Sequence, residues 1–420
     1  MKKNEQVIGW IGVILVLVLG KTLLASDMLF FRLLIGVGFG YALSRSYSGF
    51  AGSVNRALNT GSTKLMRNLM GLFFFSALVT TGFLFKANPA DYDLWINPIN
   101  LGLIAGGILF GFGMSFSSCC ASGVLTDLIT GLPRALITLI FFGFGVFIAF
   151  PLQKTAGWVT NSWFSSPVGL EKSGGVFLPD LFKWDGAEGY IGALILTAIF
   201  CSIVIAFSYL YEKNRKQNKT YTGVLTENMQ YAADTFDSKD YELLSETTYN
   251  RVFVKPWTLA QGFLVLGTLY TILMGVTKSG WGASTPYGLW FGKVLMVFGV
   301  SAESLAAYTK MPDTAFLTPF FQHGVSVQNF GILVGTTLFL LTAGQFKKTF
   351  MSELKITGKE ALLYGLGGIT MGVGTRLANG CNVGALYTPI ANLSLAGWIF
   401  LIVMVIGGIL GNMFAKKLVK

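Results

Sequence analysis

The chain has 420 residues, 53% of them hydrophobic and only 12% charged, with a formal net charge of +11. Soluble proteins run near ~25% charged, so this composition and a mean hydropathy of +0.61 exclude an ordinary soluble domain. The apolar residues form continuous blocks of the roughly 20 residues needed to cross a bilayer as helix, which excludes the alternating strands of a β-barrel and defines an all-α polytopic membrane protein.

The first block, within MKKNEQVIGWIGVILVLVLGKTLLASD, has Lys2 and Lys3 ahead of an apolar run. Lys21 interrupts the run and the A-S-D boundary suits cleavage poorly, so the segment is expected to stay as a first span with Lys21 snorkelling to an interface. Spans are predicted over about 6–25, 28–44, 68–86, 98–117, 134–152, 189–211, 257–277, 328–345, 360–378 and 395–415. The apolar stretch 288–303 is short and is expected to be re-entrant or partial. Basic clusters lie between the blocks: Arg45, Arg56, Lys64 and Arg67; Lys213, Arg215, Lys216 and Lys219; Lys347, Lys348, Lys355 and Lys359; Lys416, Lys417 and Lys420. They mark cytoplasmic loops by the positive-inside rule rather than a nucleic-acid surface. Ten crossings put both termini in the cytoplasm, and the expected location is the cell membrane.

Two polar segments interrupt the spans. Residues 153–188, with Trp158, Trp163 and Trp184, are expected to form an external loop with interfacial aromatics. Residues 212–256 are expected to be a cytoplasmic linker, a tether with no site of its own and a short helix around 239–250. The chain thus divides into an N-terminal span (1–27), a first membrane half (28–211), the linker (212–256) and a second membrane half (257–420).

The halves share a phrase. GGILFGFGMSFSSCCASGVL, Gly106 to Leu125, returns as GGITMGVGTRLANGCNVGAL, Gly367 to Leu386, with Cys120 and Cys381 in register. The charge rule runs the span before Cys120 inward and the span before Cys381 outward. The two cysteine loops then dip in from opposite faces, the pattern of inverted repeats whose interface holds the substrate in many transporters. The small and polar residues around the cysteines, Ser118 and Gly123 in one half and Asn379, Asn382 and Gly384 in the other, face lipid only at a cost. They are expected to line a path. A helix starting after each C-x-x-G would aim its N-terminal N–H groups at whatever sits beside the sulfur, which suits an anion. Each thiol is expected to stay protonated, because a thiolate repels an anionic substrate. Arg376, deep in its block, is a candidate anion contact, its alternative a structural pair or a snorkelling side chain. Asp127 is a candidate for pairing or proton handling, or for a cap. Cys201 reads as packing.

Cys119, Cys120, Cys201 and Cys381 show no zinc or disulfide spacing, and His323 is the single histidine. No metal or other cofactor is expected.

At these residues the sequence resembles the YeeE/YedE family of sulfur-transport membrane proteins. Gly372 to Ala385 carries the phrase G-x-G-x-R-L-A-x-G-C-N-x-x-A, and FGYALSRSYSGFAGSVNRAL resembles the family's G-x-x-x-x-R-x-x-x-C-F, with Gly49 where the family has Cys. The resemblance implies a permease in which cysteines along a narrow path make S–H contacts with thiosulfate, a role that falls to Cys120 and Cys381 by position. It leaves open selenium or other sulfur species as substrate. It also implies a small cytoplasmic sulfur-carrier protein as a companion. A membrane sulfurtransferase or thiol oxidoreductase is the competing reading, and a non-transporting assembly subunit a third.

Overall fold

A computed structural model describes residues 2–231, 242, 243 and 245–419. The labelled helices are α1 (Lys2–Leu23), α2 (Asp27–Arg45), α3 (Gly52–Thr60), α4 (Lys64–Leu84), α5 (Leu101–Ser117), α6 (Gly123–Thr130), α7 (Leu132–Thr155), α8 (Tyr190–Gln217), α9 (Leu259–Thr277), α10 (Thr285–Val297), α11 (Gly324–Thr342), α12 (Gly358–Leu377) and α13 (Leu395–Val419). Eight of them, α1, α2, α4, α7, α8, α9, α11 and α13, are long and apolar enough to cross a membrane. The two remaining predicted spans are α5, which is shorter, and α12, which packs along it. With 13 residues, α10 is too short to cross at ~1.5 Å per residue, as its sequence suggested. The chain is an all-α polytopic membrane protein.

Local chemistry sets the helix ends. The Asn100 side chain accepts from the Leu103 N–H to start α5. Thr357 and Glu360 form a capping box at α12, as Thr258 and Gln261 do at α9. Ser118 ends α5 in the left-handed region at φ 55°, and Asn379 turns the chain after α12 at φ 57°. These two residues occupy the same position of the repeated phrase, so both glycine helices break at the same point.

The glycines fix how the halves meet. A Cβ on Gly106 would lie 2.6 Å from the Gly374 carbonyl oxygen, and one on Gly113 would lie 2.5 Å from that of Gly367. Gly106 approaches Gly374 and Gly113 approaches Gly367, so α5 and α12 run antiparallel with backbones in contact. Gly106 and Gly367 are equivalent in the repeat, as are Gly113 and Gly374. One close approach is therefore the image of the other, and the two cysteine loops leave opposite ends of the α5–α12 pair. The following helices exchange partners in the same way: α13 packs on α5, and α7 packs on α12. The repeats are inverted.

On one face, Arg45 at the end of α2 bonds the carbonyls of Lys255 and Arg251. Lys2 reaches Asn250, and Asn412 in the last turns of α13 bonds Asn55 of α3. Both ends of the described chain therefore lie toward this basic face. Of the interval expected to hold a helix around 239–250, residues 239–241 and 244 lie outside the described residues, and Glu246–Tyr249 is helical. The helix Leu225–Gln230 docks on the membrane body, where the buried Glu227 pairs with Arg56 at 3.2 Å and accepts from the Ser62 hydroxyl.

Candidate functional site

Cys120 lies in the turn between α5 and α6, almost fully buried, its sulfur 3.5 Å from the Ser122 hydroxyl. The Val124 N–H bonds the Cys120 carbonyl at 2.8 Å as α6 begins at Gly123. In the second half the Ala385 N–H bonds the Cys381 carbonyl at 2.6 Å, the same bond in the repeat. There the expected helix is replaced: a π-helical turn, Asn382–Tyr387, starts directly after the cysteine and feeds the short helix Thr388–Ala391. The turn points the Val383 and Gly384 N–H groups toward the Cys381 sulfur.

Arg376 ends beside this turn. Its guanidinium is 3% exposed and donates to Ser284 Oγ at 2.9 Å, Thr285 Oγ1 at 3.1 Å and Gln153 Oε1 at 3.3 Å. The ring of Phe150 lies 5.5 Å away. All these partners are neutral side chains, and no carboxylate pairs with Arg376 among the described residues. Arg45, also buried, differs: its donors go to backbone carbonyls and the Tyr41 hydroxyl, and its guanidinium packs on Trp257. Ser284 also lies near the Cys381 thiol. Gln153 in turn donates to Asn379 Oδ1 at 2.8 Å. A buried cation compensated only by dipoles is an attractive place for an anion.

The remaining predicted residues lie around these two loops. Asn382 is fully buried, its Nδ2 3.3 Å from Met114 Sδ and its Oδ1 without a partner. Gly384 lies under the ring of Trp95, where a Cβ would come within 2.7 Å of it. A Cβ on Gly123 would sit 3.5 Å from the Cys120 sulfur. Ser118 is exposed in a cavity of about 500 Å³ that opens at the basic face and is also lined by Gly49, Arg56, Cys119, Cys120 and Arg134. At Gly49 a Cβ would meet only open space. Asp127 pairs with Arg134 at 3.2 Å and accepts from Thr130. Cys201 is buried in α8 against the Met70 carbonyl.

The sequence reading missed four residues. Ser284 and Gln153 hold Arg376, and each was visible only as a polar residue at the edge of an apolar block. Tyr287, fully buried, donates to the Ala121 carbonyl and stands within electrostatic reach of Cys119, Cys120 and Cys381. It thereby ties the second half to the first cysteine loop. Trp95, at φ 53°, covers Gly282 and Gly384 from the side opposite the cavity and bonds Asp93 at 2.7 Å. Its place in a polar connection carried no signal.

Inverted cysteine loops buried inside a helical membrane body, one of them next to a buried cation, describe a membrane transport protein. The chain belongs to the Sulphur transport family, whose pattern matches residues 45–410. It is similar to the thiosulfate transporter TsuA of Spirochaeta thermophila, at 26% identity over 387 residues covering 90% of this chain and 97% of that protein. It is also similar to the probable transporter YedE of Salmonella typhimurium, at 31% identity over 163 residues, 38% of each chain. YedE of Escherichia coli gives 31% over 161 residues, again 38% of each.

Proposed function

We propose that the chain is a permease for thiosulfate or a closely related small sulfur anion, which passes Arg376 and Cys381, then Cys120, and leaves through the cavity at the basic face. The observation that carries this reading is the Arg376 guanidinium, buried with no carboxylate partner among the described residues, held by Ser284 Oγ and placed near the Cys381 thiol. A cation held only by hydroxyls and an amide can exchange those partners for an oxyanion. Beside it, a neutral S–H and two backbone N–H groups make weak donors for sulfur or oxygen. Weak, repeated contacts matter, because an inside-negative potential opposes a dianion by about 4.6 kcal/mol per 100 mV, and a deep trap would add an exit barrier. Net uptake then depends on coupling to another ion or on consumption inside.

In this reading the basic face is cytoplasmic, the membrane is the cell membrane, and the protein transports rather than transforms its substrate. A small cytoplasmic sulfur-carrier protein that takes up the released anion suits the cavity on that side. The test is uptake of radiolabelled thiosulfate by vesicles containing the purified protein alone. Accumulation of intact thiosulfate supports a permease. Release of sulfite from thiosulfate would instead support the sulfurtransferase reading, and no uptake under any gradient would leave an assembly role.

A further inference from the structure

A second cluster of cations lies at the membrane face opposite the cavity. Helices α2 and α11 run parallel, as the approaches of Gly36 to Gly331 and of Val37 to Gly335 require. Since α2 ends with Arg45 at the basic face, Arg32 and the start of α11 lie toward the other one. Three basic side chains lie near one another there. Arg32 runs against Gly324, where a Cβ would come within 2.9 Å of its Cδ. His323 is the adjoining residue and caps α11. Lys293 of α10 donates to the carbonyls of Phe316 and Thr318, and both Lys293 and Arg32 lie within electrostatic reach of His323. Trp290, on the same helix as Lys293, bonds Ser326 at 2.9 Å and so fastens α10 to this spot.

No carboxylate pairs with Arg32, Lys293 or His323 among the described residues. The Nδ1 of His323 accepts the Ser326 N–H, which leaves Nε2 as the donor of the neutral ring. All three side chains remain partly exposed. The second observation is Gln328. It is fully buried, its Oε1 accepts from Arg32 at 3.2 Å, and its Nε2 has no partner. Turning the amide over would set its NH2 against the guanidinium, so Arg32 fixes which atom is left unpaired. A buried donor without an acceptor is destabilising, and here it belongs to the residue that holds the Arg32 guanidinium.

We propose that Arg32, Lys293, His323 and the Gln328 amide form a second oxyanion site, at the face opposite the cavity and separate from Arg376. Its ligand is a tetrahedral oxyanion, either free in solution or the phosphate of a lipid headgroup; both present the same oxygens to the same donors. A free sulfur oxyanion held there would be concentrated before it reaches Arg376. A headgroup phosphate would anchor α10 and α11 in the leaflet.

The experiment has two arms, and neither measures transport, so its failure is distinct from failure of the permease reading. In the first, protein carrying Arg376→Gln is unfolded thermally in detergent over a sodium sulfate series, against sodium chloride at equal ionic strength. Adding Arg32→Gln and Lys293→Gln is expected to raise the half-saturating sulfate concentration at least ten-fold. In the second, phosphatidylglycerol retained per purified chain is measured by mass spectrometry for the protein with and without the same pair, and a several-fold drop is expected if the occupant is a headgroup. A change in the first arm assigns a free anion and a change in the second assigns lipid. Unchanged behaviour in both overturns the site. Gln328→Leu and Arg32→Lys, each a milder change, are run beside the pair with elution volume as a check on folding. If the pair does not fold, unchanged sulfate and lipid binding by both milder variants overturns the proposal equally.

Discussion

Replacing Arg376 with Gln separates an anion site from a structural ion pair. In an ordinary buried pair, deleting the cation leaves a carboxylate uncompensated, at a cost of about 3–5 kcal/mol. Among the described residues Arg376 has no such partner: Ser284, Thr285 and Gln153 are neutral and retain hydrogen-bonding options once it is gone. Arg376→Gln is therefore expected to reach the membrane at normal abundance and to melt within a few degrees of the wild type. Transport should behave otherwise. Removing one partner of a buried, hydrogen-bonded charge contact costs about 2–5 kcal/mol. Gln keeps one donor in place, so the lower part of that range applies, and at about 1.4 kcal/mol per decade uptake efficiency falls roughly 30- to 150-fold. Arg376→Lys should recover only part, because the planar fork is lost. The assay is initial uptake of radiolabelled thiosulfate over a concentration series in cells lacking other importers, normalised to membrane abundance. Wild-type efficiency in Arg376→Gln would refute the reasoning, as would a loss accounted for entirely by missing folded protein.

Cys381→Ala, which removes the donor, and Cys381→Ser, which exchanges a soft sulfur for a strongly hydrated hydroxyl, should each reduce uptake at least ten-fold at equal abundance, with Cys120 substitutions milder or equal; normal uptake by Cys381→Ala would sink the thiol contact. Gly106→Ala puts a Cβ 2.6 Å from the Gly374 carbonyl oxygen of α12 and from the Ala378 nitrogen just beyond it, an overpacking that costs about 1–3 kcal/mol, so its melting temperature in detergent should fall by several degrees while Gly49→Ala, facing open space, stays at the wild-type value. In the polar connection before α8, Asp185 accepts from the N–H groups of Gly192, Ala187 and Gly189. These bonds, that of Gly192 first, hold its carboxyl below the usual carboxylate range. Its contribution to holding the connection is thus present above the unfolded value of about 3.9 and is lost as pH falls through the lower folded value; protease nicking of 182–189 should rise with acid in that window for the wild type and be independent of pH there for Asp185→Asn.

How much of this was legible beforehand follows from which signals are local. The span positions could be read because crossing a bilayer requires a continuous apolar block, and the shortness of 288–303 was visible as length alone. The cysteine loops could be paired because one phrase occurs twice, and basic clusters oriented the spans on either side. The helix after Cys120 followed from its C-x-x-G, whereas the same pattern after Cys381 gave a π-helical turn. That difference arises where the turn's own Tyr387 packs against fully buried Trp281 and Tyr270, neighbours that a local pattern does not contain.

The sequence by itself determined that this chain is a helical membrane protein built of two related halves, because hydrophobicity, charge placement and a repeat are properties of the chain read in order. It also singled out Cys120, Cys381 and Arg376, since a polar group within an apolar block has to be accommodated wherever the block folds. Only the tertiary structure decided what accommodates them. Ser284 and Gln153 lie 92 and 223 residues from Arg376 along the chain, and that they are hydroxyl and amide rather than carboxylate turns a buried charge into a candidate anion site. The glycine contacts of α7 with α12, Gly145 against Gly372, and the packing of α10 on α7 bring those distant residues together. They do so because glycine lets two backbones touch, and a contact between two helix surfaces exists only once both have formed.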